Sequence, residues 1–505
     1  MAATFAVAAG SKLAAQAAGE VLREGGSAVD AVIAGALAAC VAEPVLASPM
    51  GGGFLMVRPR DGPARLLDFF VQTPRRKRSA AEVDLRGIDA DFGPATQGFS
   101  IGAGAIACPG AAAGLWEAHR AHGRAPFRDL AAPAVEAAAR GTALEPFQTQ
   151  VLGIVAPIYL ASPEARATFC AGGDRTPDAG ATYANPALAD LLETFAAEGA
   201  RFMQQGEPAA ALAELCRAGG HLTREDMAAY APVWREPMRV GRGRARLHLN
   251  PAPAAGGAMA ALILALSEPG ASPQMLARAM AAAAQGRRLS GLDADAEAGV
   301  RRLADPALLA QLRAALRHPP ARRGTTNISA VDGRGFGAAL SLSNGEGCGL
   351  IAPGTGVMPN NMLGEADLVP EPLGWTPDVR LSSMMAPTAV EWPDGRLAML
   401  GSGGSNRIRS AMAQVLMRLI DDGAPPEDAV AAPRLHVEGG APPTLDFEDA
   451  FPEVDRAALL EDWPEATVWP EPSMFFGGAH VAMRDARGGA SAAGDPRRAG
   501  AAAVG

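Results

Sequence analysis

The sequence predicts one large unit of mixed helices and strands, of the α+β or α/β class. Three observations carry this. The first fifty residues read as helix, turn, helix. The middle of the chain, about 140–320, is rich in helical segments. After Thr325 the pattern changes to short strands punctuated by glycine turns. A chain of 505 residues has room for roughly three average domains, but no repeat or long low-complexity linker divides it, and a single unit over residues 1–505 is the expectation.

In order along the chain, Ser11 caps a helix over Lys12–Arg23 that stops at Gly25-Gly26. The next helix, Ala28–Val41, is apolar nearly all round and so belongs inside. Glu43-Pro44 ends it, because proline cannot continue a helix. The glycine turn Gly51-Gly52-Gly53 then opens a strand, Phe54–Arg58. A second strand, Ala64–Phe70, follows the Asp61-Gly62-Pro63 turn, which makes a hairpin. Further on, Thr223 caps a helix with Asp226 at the third position, a variant of the capping box. Arg239–Leu249 reads as one strand, leading through the Gly256-Gly257 turn into an apolar helix. Residues 285–324 are charged, alanine-rich and loop-like near Pro319-Pro320.

Composition narrows the function. A formal charge of -9 argues against nucleic acid as the main partner. The basic run Arg75-Arg76-Lys77-Arg78 falls far short of a polybasic arm and reads as a solvated loop. The five cysteines are scattered and form no CxxC pair, so buried free thiols are expected. His119 and His122 share a helical face without a third ligand nearby, and no metal site is expected. The longest apolar runs are well short of the roughly 20 residues of a membrane span. The start of the chain lacks a basic segment followed by an apolar core, so a cytoplasmic location is the expectation. The glycines of Gly333-Arg334-Gly335-Phe336-Gly337 do not open a helix after a strand, so they are not a nucleotide loop.

The chemistry concentrates after Gly324. Thr325-Thr326 opens a strand-like run. Ser341-Leu342-Ser343-Asn344-Gly345 follows, then Pro353-Gly354-Thr355-Gly356, Asn360-Asn361, Ser382-Ser383-Met384 and Gly401-Ser402-Gly403-Gly404. With Gly26-Ser27-Ala28-Val29-Asp30-Ala31, Glu43-Pro44, Gly51-Gly52-Gly53-Phe54 and Leu222-Thr223 upstream, these landmarks resemble, in this order, the γ-glutamyltransferase (γ-glutamyltranspeptidase) family of N-terminal-nucleophile hydrolases. Each landmark alone is weak; the ordered set spans nearly the whole chain.

The resemblance implies a four-layer αββα sandwich. It implies self-cleavage between Gly324 and Thr325, giving a large subunit of residues 1–324 and a small subunit of residues 325–505, held together as a heterodimer. Residues 285–324 would then lead into the scissile bond. Thr325 would become an N-terminus holding both nucleophile and base: its hydroxyl attacks a carbonyl and its α-amine takes the proton. Ser343 and Asn344 match the hydroxyl and asparagine that support the nucleophile. Gly403 and Gly404 match the backbone oxyanion donors, or Gly404-Ser405 if Asn406 shifts the register. Glu365 matches the acid that binds the substrate ammonium, and Ser382 and Ser383 the hydroxyls that bind its carboxylate. No cofactor or metal is implied, only a γ-glutamyl small molecule such as glutathione and an amino-acid or water acceptor.

Two positions depart from the pattern. Phe70 stands where the family has an arginine that pairs with the substrate carboxylate, and phenylalanine forms no ion pair. Arg75 or Arg76 of the adjoining loop is the candidate replacement. Asn327 replaces a histidine that commonly follows the threonine pair. The leading expectation is therefore a γ-glutamyl hydrolase or transferase. The alternative is an amidase of the same machinery, such as a glutaryl or cephalosporin acylase, for which Phe70 offers an aromatic wall. A third is a non-catalytic binding protein, against which the retained Thr325, Asn344, Ser382 and Ser383 speak.

Overall fold

A computed structural model describes residues 4–91, 96–170, 173–292, 295–315, 325–369, 371–439 and 442–505. Gly324, the expected cleavage position, and Pro319-Pro320 lie outside the described residues.

Two antiparallel sheets stack face to face. The first has the spatial order Ala501–Val504, Ala6–Ala9, Thr326–Val331, Gly337–Ser343, Gly52–Arg58, Arg65–Phe69, Val233–Arg235. The second runs Ala490–Ala493, Gly478–Arg484, Leu397–Gly403, Thr388–Glu391, Ala245–Leu249, Met238–Arg242. Side chains alternate across a strand, and in the first sheet both alternating sets are largely apolar. Val7, Ala9, Leu55, Val57, Ile328 and Leu340 pack under the helices Lys12–Arg23, Ala28–Ala42 and Phe127–Arg140. Ala6, Ala8, Phe54, Met56 and Ala339 belong to a second core shared with the other sheet. That core continues to the helices Gly256–Leu266, Pro273–Ser290 and Arg407–Ile420 on the far side. The layers are thus helix, sheet, sheet, helix, the α+β sandwich expected. Strands covered on both faces need near-continuous apolar runs, which explains Phe54-Leu55-Met56-Val57.

Local signals hold where they were strong. Ser27 and Asp30 form a reciprocal capping box, and all fifteen residues of Ala28–Ala42 are buried. Thr223 and Asp226 do the same for Arg224–Ala229. All five cysteines are buried free thiols.

One expectation is corrected. Arg239–Leu249 is a hairpin of two strands, Met238–Arg242 and Ala245–Leu249, because Gly243 adopts φ 55° and turns the chain back. The stretch after residue 285 belongs to the helix-rich middle of the chain, finishing Pro273–Ser290 and adding Ala296–Leu303 and Pro306–Ala315. Among the described residues, no helix is long and apolar enough to cross a membrane.

Candidate active site

Thr326 pairs with Leu342 in the antiparallel ladder. One further step of register sets Thr325 opposite Ser343, at the end of the strand pair. Both line an open cleft with about 620 Å³ of empty space. Phe70, Glu365, Ser382 and Ser383 line the same cleft, so loops far apart in sequence converge on the two hydroxyls.

Two of these hydroxyls have a fixed acceptor role that leaves the hydrogen for donation. Ser343 Oγ accepts from Gly345 N at 3.1 Å, and Ser383 Oγ accepts from Met385 N at 3.1 Å. The turn at Gly345 (φ 66°) is held by Asn361. Asn361 Oδ1 accepts from Glu346 N at 3.0 Å. Asn360 is buried and uses both ends of its amide: it donates to Met50 O and Ala107 O and accepts from Ala107 N and Met362 N. A Cβ at Gly345 would fall 2.4 Å from Glu365 Oε1, so glycine lets this acid approach the turn. Asn344 does not line the cleft. It donates to Met358 O at 3.2 Å, and its buried Oδ1 has no hydrogen-bond partner among the described residues.

Gly403 ends a central strand against Thr325. A Cβ there would lie 1.6 Å from the Thr325 carbonyl oxygen, so only glycine fits. Gly404 continues at φ 119° and Ser405 at φ 49°, and the helix Arg407–Ile420 starts at once. Its N-terminus points positive potential at this turn. Of these three residues Ser405, rather than Gly403 or Gly404, is among those lining the cleft.

Four charged residues escaped sequence reasoning. Arg287 and Asp367 line the cleft, and Asp367 Oδ2 accepts from Ser405 Oγ at 3.1 Å. Behind Thr325, buried Arg498 donates to Thr325 O at 3.3 Å and to Met474 O at 3.1 Å. Burial lowers its pKa to about 10, which leaves it charged at neutral pH. Glu43 is fully buried, and a Cβ at Gly10 would lie 2.6 Å from both Glu43 Oε2 and Thr326 Oγ1. Neither Glu43 oxygen makes a well-formed hydrogen bond among the described residues. Burial pushes its pKa up to about 7, against a lowering pull from the nearby Thr326 and Ser11 hydroxyls. The signals for Arg498 and Glu43 were present as Asp495-Pro496-Arg497-Arg498 and Glu43-Pro44. Arg287 sits in the last turn of a helix and carries no motif at all.

Phe70 is buried and stacks on Phe54, ring centroids 5.5 Å apart. Its carbonyl accepts from Tyr230 Oη at 2.6 Å and Arg380 Nη1 at 2.7 Å. Arg75 does not replace the missing cation: it lies 3.6 Å from Asp378 on the surface, and Arg76 is exposed. Lys77 and Arg78 are more than solvated charges, since they donate to Trp375 O and Gly220 O and tie loops together. Asn327 lies outside the cleft. It bridges Leu340 O, Ser341 Oγ and Ser329 Oγ within the sheet, a structural clip.

Comparison with known proteins fits this geometry. The glutathione hydrolase proenzyme of Pseudomonas aeruginosa is 30% identical over 474 residues, covering 85% of this chain and 82% of that one. The acylase ACY 1 proenzyme of a Pseudomonas species is 29% identical over 477 residues, covering 89% and 84%. Among solved structures, the cephalosporin acylase of Bacillus halodurans superposes with a TM-score of 0.85 at 24% identity, over 99% of this chain and 96% of that one. The gamma-glutamyltranspeptidase of Pseudomonas nitroreducens gives 0.51 at 26%, over 60% and 92%. The sequence profile of the gamma-glutamyltranspeptidases matches residues 14–505, and with the sandwich and the convergent cleft this chain belongs to that family of hydrolases and transferases.

Proposed function

We propose that this chain is a self-processing γ-glutamyl amide hydrolase or transferase whose nucleophile is Thr325. The observation that carries the reading is the convergence of Thr325, Ser343, Glu365, Ser382 and Ser383 on one cleft. An acid and two hydroxyl donors in one cleft suit an acyl group bearing both an ammonium and a carboxylate.

Cleavage before Thr325 frees its α-amine. The Thr325 hydroxyl adds to the γ-carbonyl carbon while the amine takes its proton. The Ser343 hydroxyl donates to the nucleophile's oxygen and orients it. The tetrahedral oxyanion meets backbone N–H groups at the Gly403-Gly404-Ser405 turn, under the positive end of the Arg407–Ile420 helix. Collapse breaks the C–N bond, the amine passes its proton to the leaving nitrogen, and a threonyl ester remains. Water or an amino-acid amine attacks that ester, breaks its C–O bond and returns the proton to the threonine oxygen. Arg498, charged and in contact with the Thr325 carbonyl, favours the neutral amine that this base must be.

A second reading, acylase action on glutaryl or cephalosporin amides, is favoured by the 29% identity of this chain to the acylase ACY 1 proenzyme. A glutaryl group is a γ-glutamyl group without its ammonium. The test compares γ-glutamyl-p-nitroanilide with glutaryl-p-nitroanilide on wild type and Thr325→Ala. We expect turnover of the γ-glutamyl compound, and a loss of at least about a thousandfold in the variant. Equal turnover by Thr325→Ala would overturn the nucleophile, and turnover of the glutaryl compound alone would establish the acylase reading.

A further inference from the structure

We infer that Arg287 is the residue that selects acyl donors by their terminal carboxylate, replacing the cation that Phe70 cannot supply. The inference rests on the reading of this cleft as the acyl-donor site, but not on the choice between γ-glutamyl and glutaryl donors.

Among the described residues that line the cleft, Arg287 is the only cation, and the acids there are Glu365 and Asp367. A guanidinium presents a planar fork that matches a carboxylate, whereas hydroxyls offer one donor each. Phe70 cannot move aside for another group. Its ring is stacked on Phe54, and its carbonyl is held by Tyr230 and Arg380. Arg380 itself is engaged with Phe70 O and Ala231 O and does not line the cleft.

Arg287 is delivered by a different element. It lies in the last turn of Pro273–Ser290, which packs against the second sheet's helical layer, and its side chain is half-buried. Its Nη1 donates to Asn406 Oδ1 at 3.1 Å. Asn406 directly follows the Gly403-Gly404-Ser405 turn that abuts the Thr325 carbonyl. The guanidinium is therefore indexed to the same turn that faces the reacting centre. The extra asparagine before Arg407, which in sequence reads as a slip of register, is the tether that places it.

This divides recognition in two. The carboxylate common to γ-glutamyl and glutaryl groups is read by Arg287 with the serine pair. The ammonium that distinguishes them is read by Glu365. Arg287 reads substrate only and takes no part in bond making.

The test uses three p-nitroanilides, γ-glutamyl, glutaryl and uncharged pentanoyl, on the processed wild type, Arg287→Ala and Arg287→Lys, with melting temperatures as a folding control. We expect Arg287→Ala to raise KM at least about tenfold for whichever charged donor the enzyme accepts, with kcat changed less than about threefold. Arg287→Lys should fall between, since it keeps the charge and loses the fork. The pentanoyl compound should be unaffected or improved. An unchanged KM for the charged donor, or an equal loss on the pentanoyl compound, would overturn the inference. Failure of the γ-glutamyl reading appears separately, as wild-type turnover of the glutaryl compound alone, and Arg287 is still tested there.

Discussion

Residue by residue, the site combines groups that sequence exposes with groups that it hides. Thr325, Ser343, Glu365, Ser382 and Ser383 stand in short motifs, and the structure brings all of them to one cleft. Arg287, Asp367 and Ser405 line it too, yet no spacing rule connects a helix's last turn to Thr325, 38 residues later. Glu43 is the sharpest case. It reads as the residue before a helix-ending proline, and it proves to be a buried acid next to Thr326. Its pKa is raised from 4.5 to about 7, so the fold favours the protonated form. Stability from this group is therefore fully present below pH 4.5, is lost as pH rises toward 7, and stays lost above it. The shift corresponds to about 3 kcal/mol. Glu43→Gln removes the titration while keeping the shape. Its melting temperature should match wild type near pH 4.5 and exceed it increasingly up to about pH 8. A gap that stays flat across that range would mean that Glu43 is ionised in the fold and compensated by Arg498.

At the scale of elements, legibility follows the source of each signal. Helix starts were readable because their caps are local: Ser27 with Asp30, and Thr223 with Asp226. The hairpin at Met238–Leu249 was not, because Gly243-Arg244 sits inside a run whose flanks both look like strand. The strands Ala6–Ala9 and Ala501–Val504 are four residues each, mostly alanine, and gain their identity only by pairing with one another and with Thr326–Val331. The last of these elements is anchored by charge. Arg497 pairs with Glu448 at 2.6 Å and with Asp495 at 3.3 Å, and Arg434 pairs with Asp495 at 2.6 Å, all with side chains at most 1% exposed. This network holds the segment whose next residue, Arg498, touches Thr325 O. Removing one partner strands a buried charge, at a cost of about 3–5 kcal/mol, whereas replacing a pair by apolar groups of like volume is often neutral. Glu448→Ala should lower the chemical-denaturation midpoint by that equivalent and impair turnover together. Glu448→Leu with Arg497→Met should recover most of the stability. Equal losses in both variants would show that the segment is held by packing and not by the ion network.

For the whole molecule, the position of Thr325 within the sheets decides what cleavage can do. In the first sheet, Ala6–Ala9 lies between Ala501–Val504 and Thr326–Val331, and Gly52–Arg58 pairs with Gly337–Ser343. Strands from before and after Thr325 are therefore interleaved. In the second sheet, Ala245–Leu249 pairs with Thr388–Glu391, so this sheet too draws on both sides of the proposed cleavage position. The apolar layer between the sheets includes Ala8 and Met56 from before it and Ala339 and Leu400 from after it. Among the described residues the ladder of Thr326–Val331 starts at Thr326, one residue past the bond before Thr325, so breaking that bond leaves it paired, whereas separating the two subunits would open both sheets and the core at once. The expected outcome is one particle of unchanged size on gel filtration, whether processed or not. Under denaturing conditions, intact mass should give two fragments for wild type, residues 1–324 and 325–505, and one chain for Thr325→Ala. Two fragments that separate without denaturant would contradict the interleaved sheets. A single wild-type chain would leave the nucleophile without its free amine and remove the basis of the proposed mechanism.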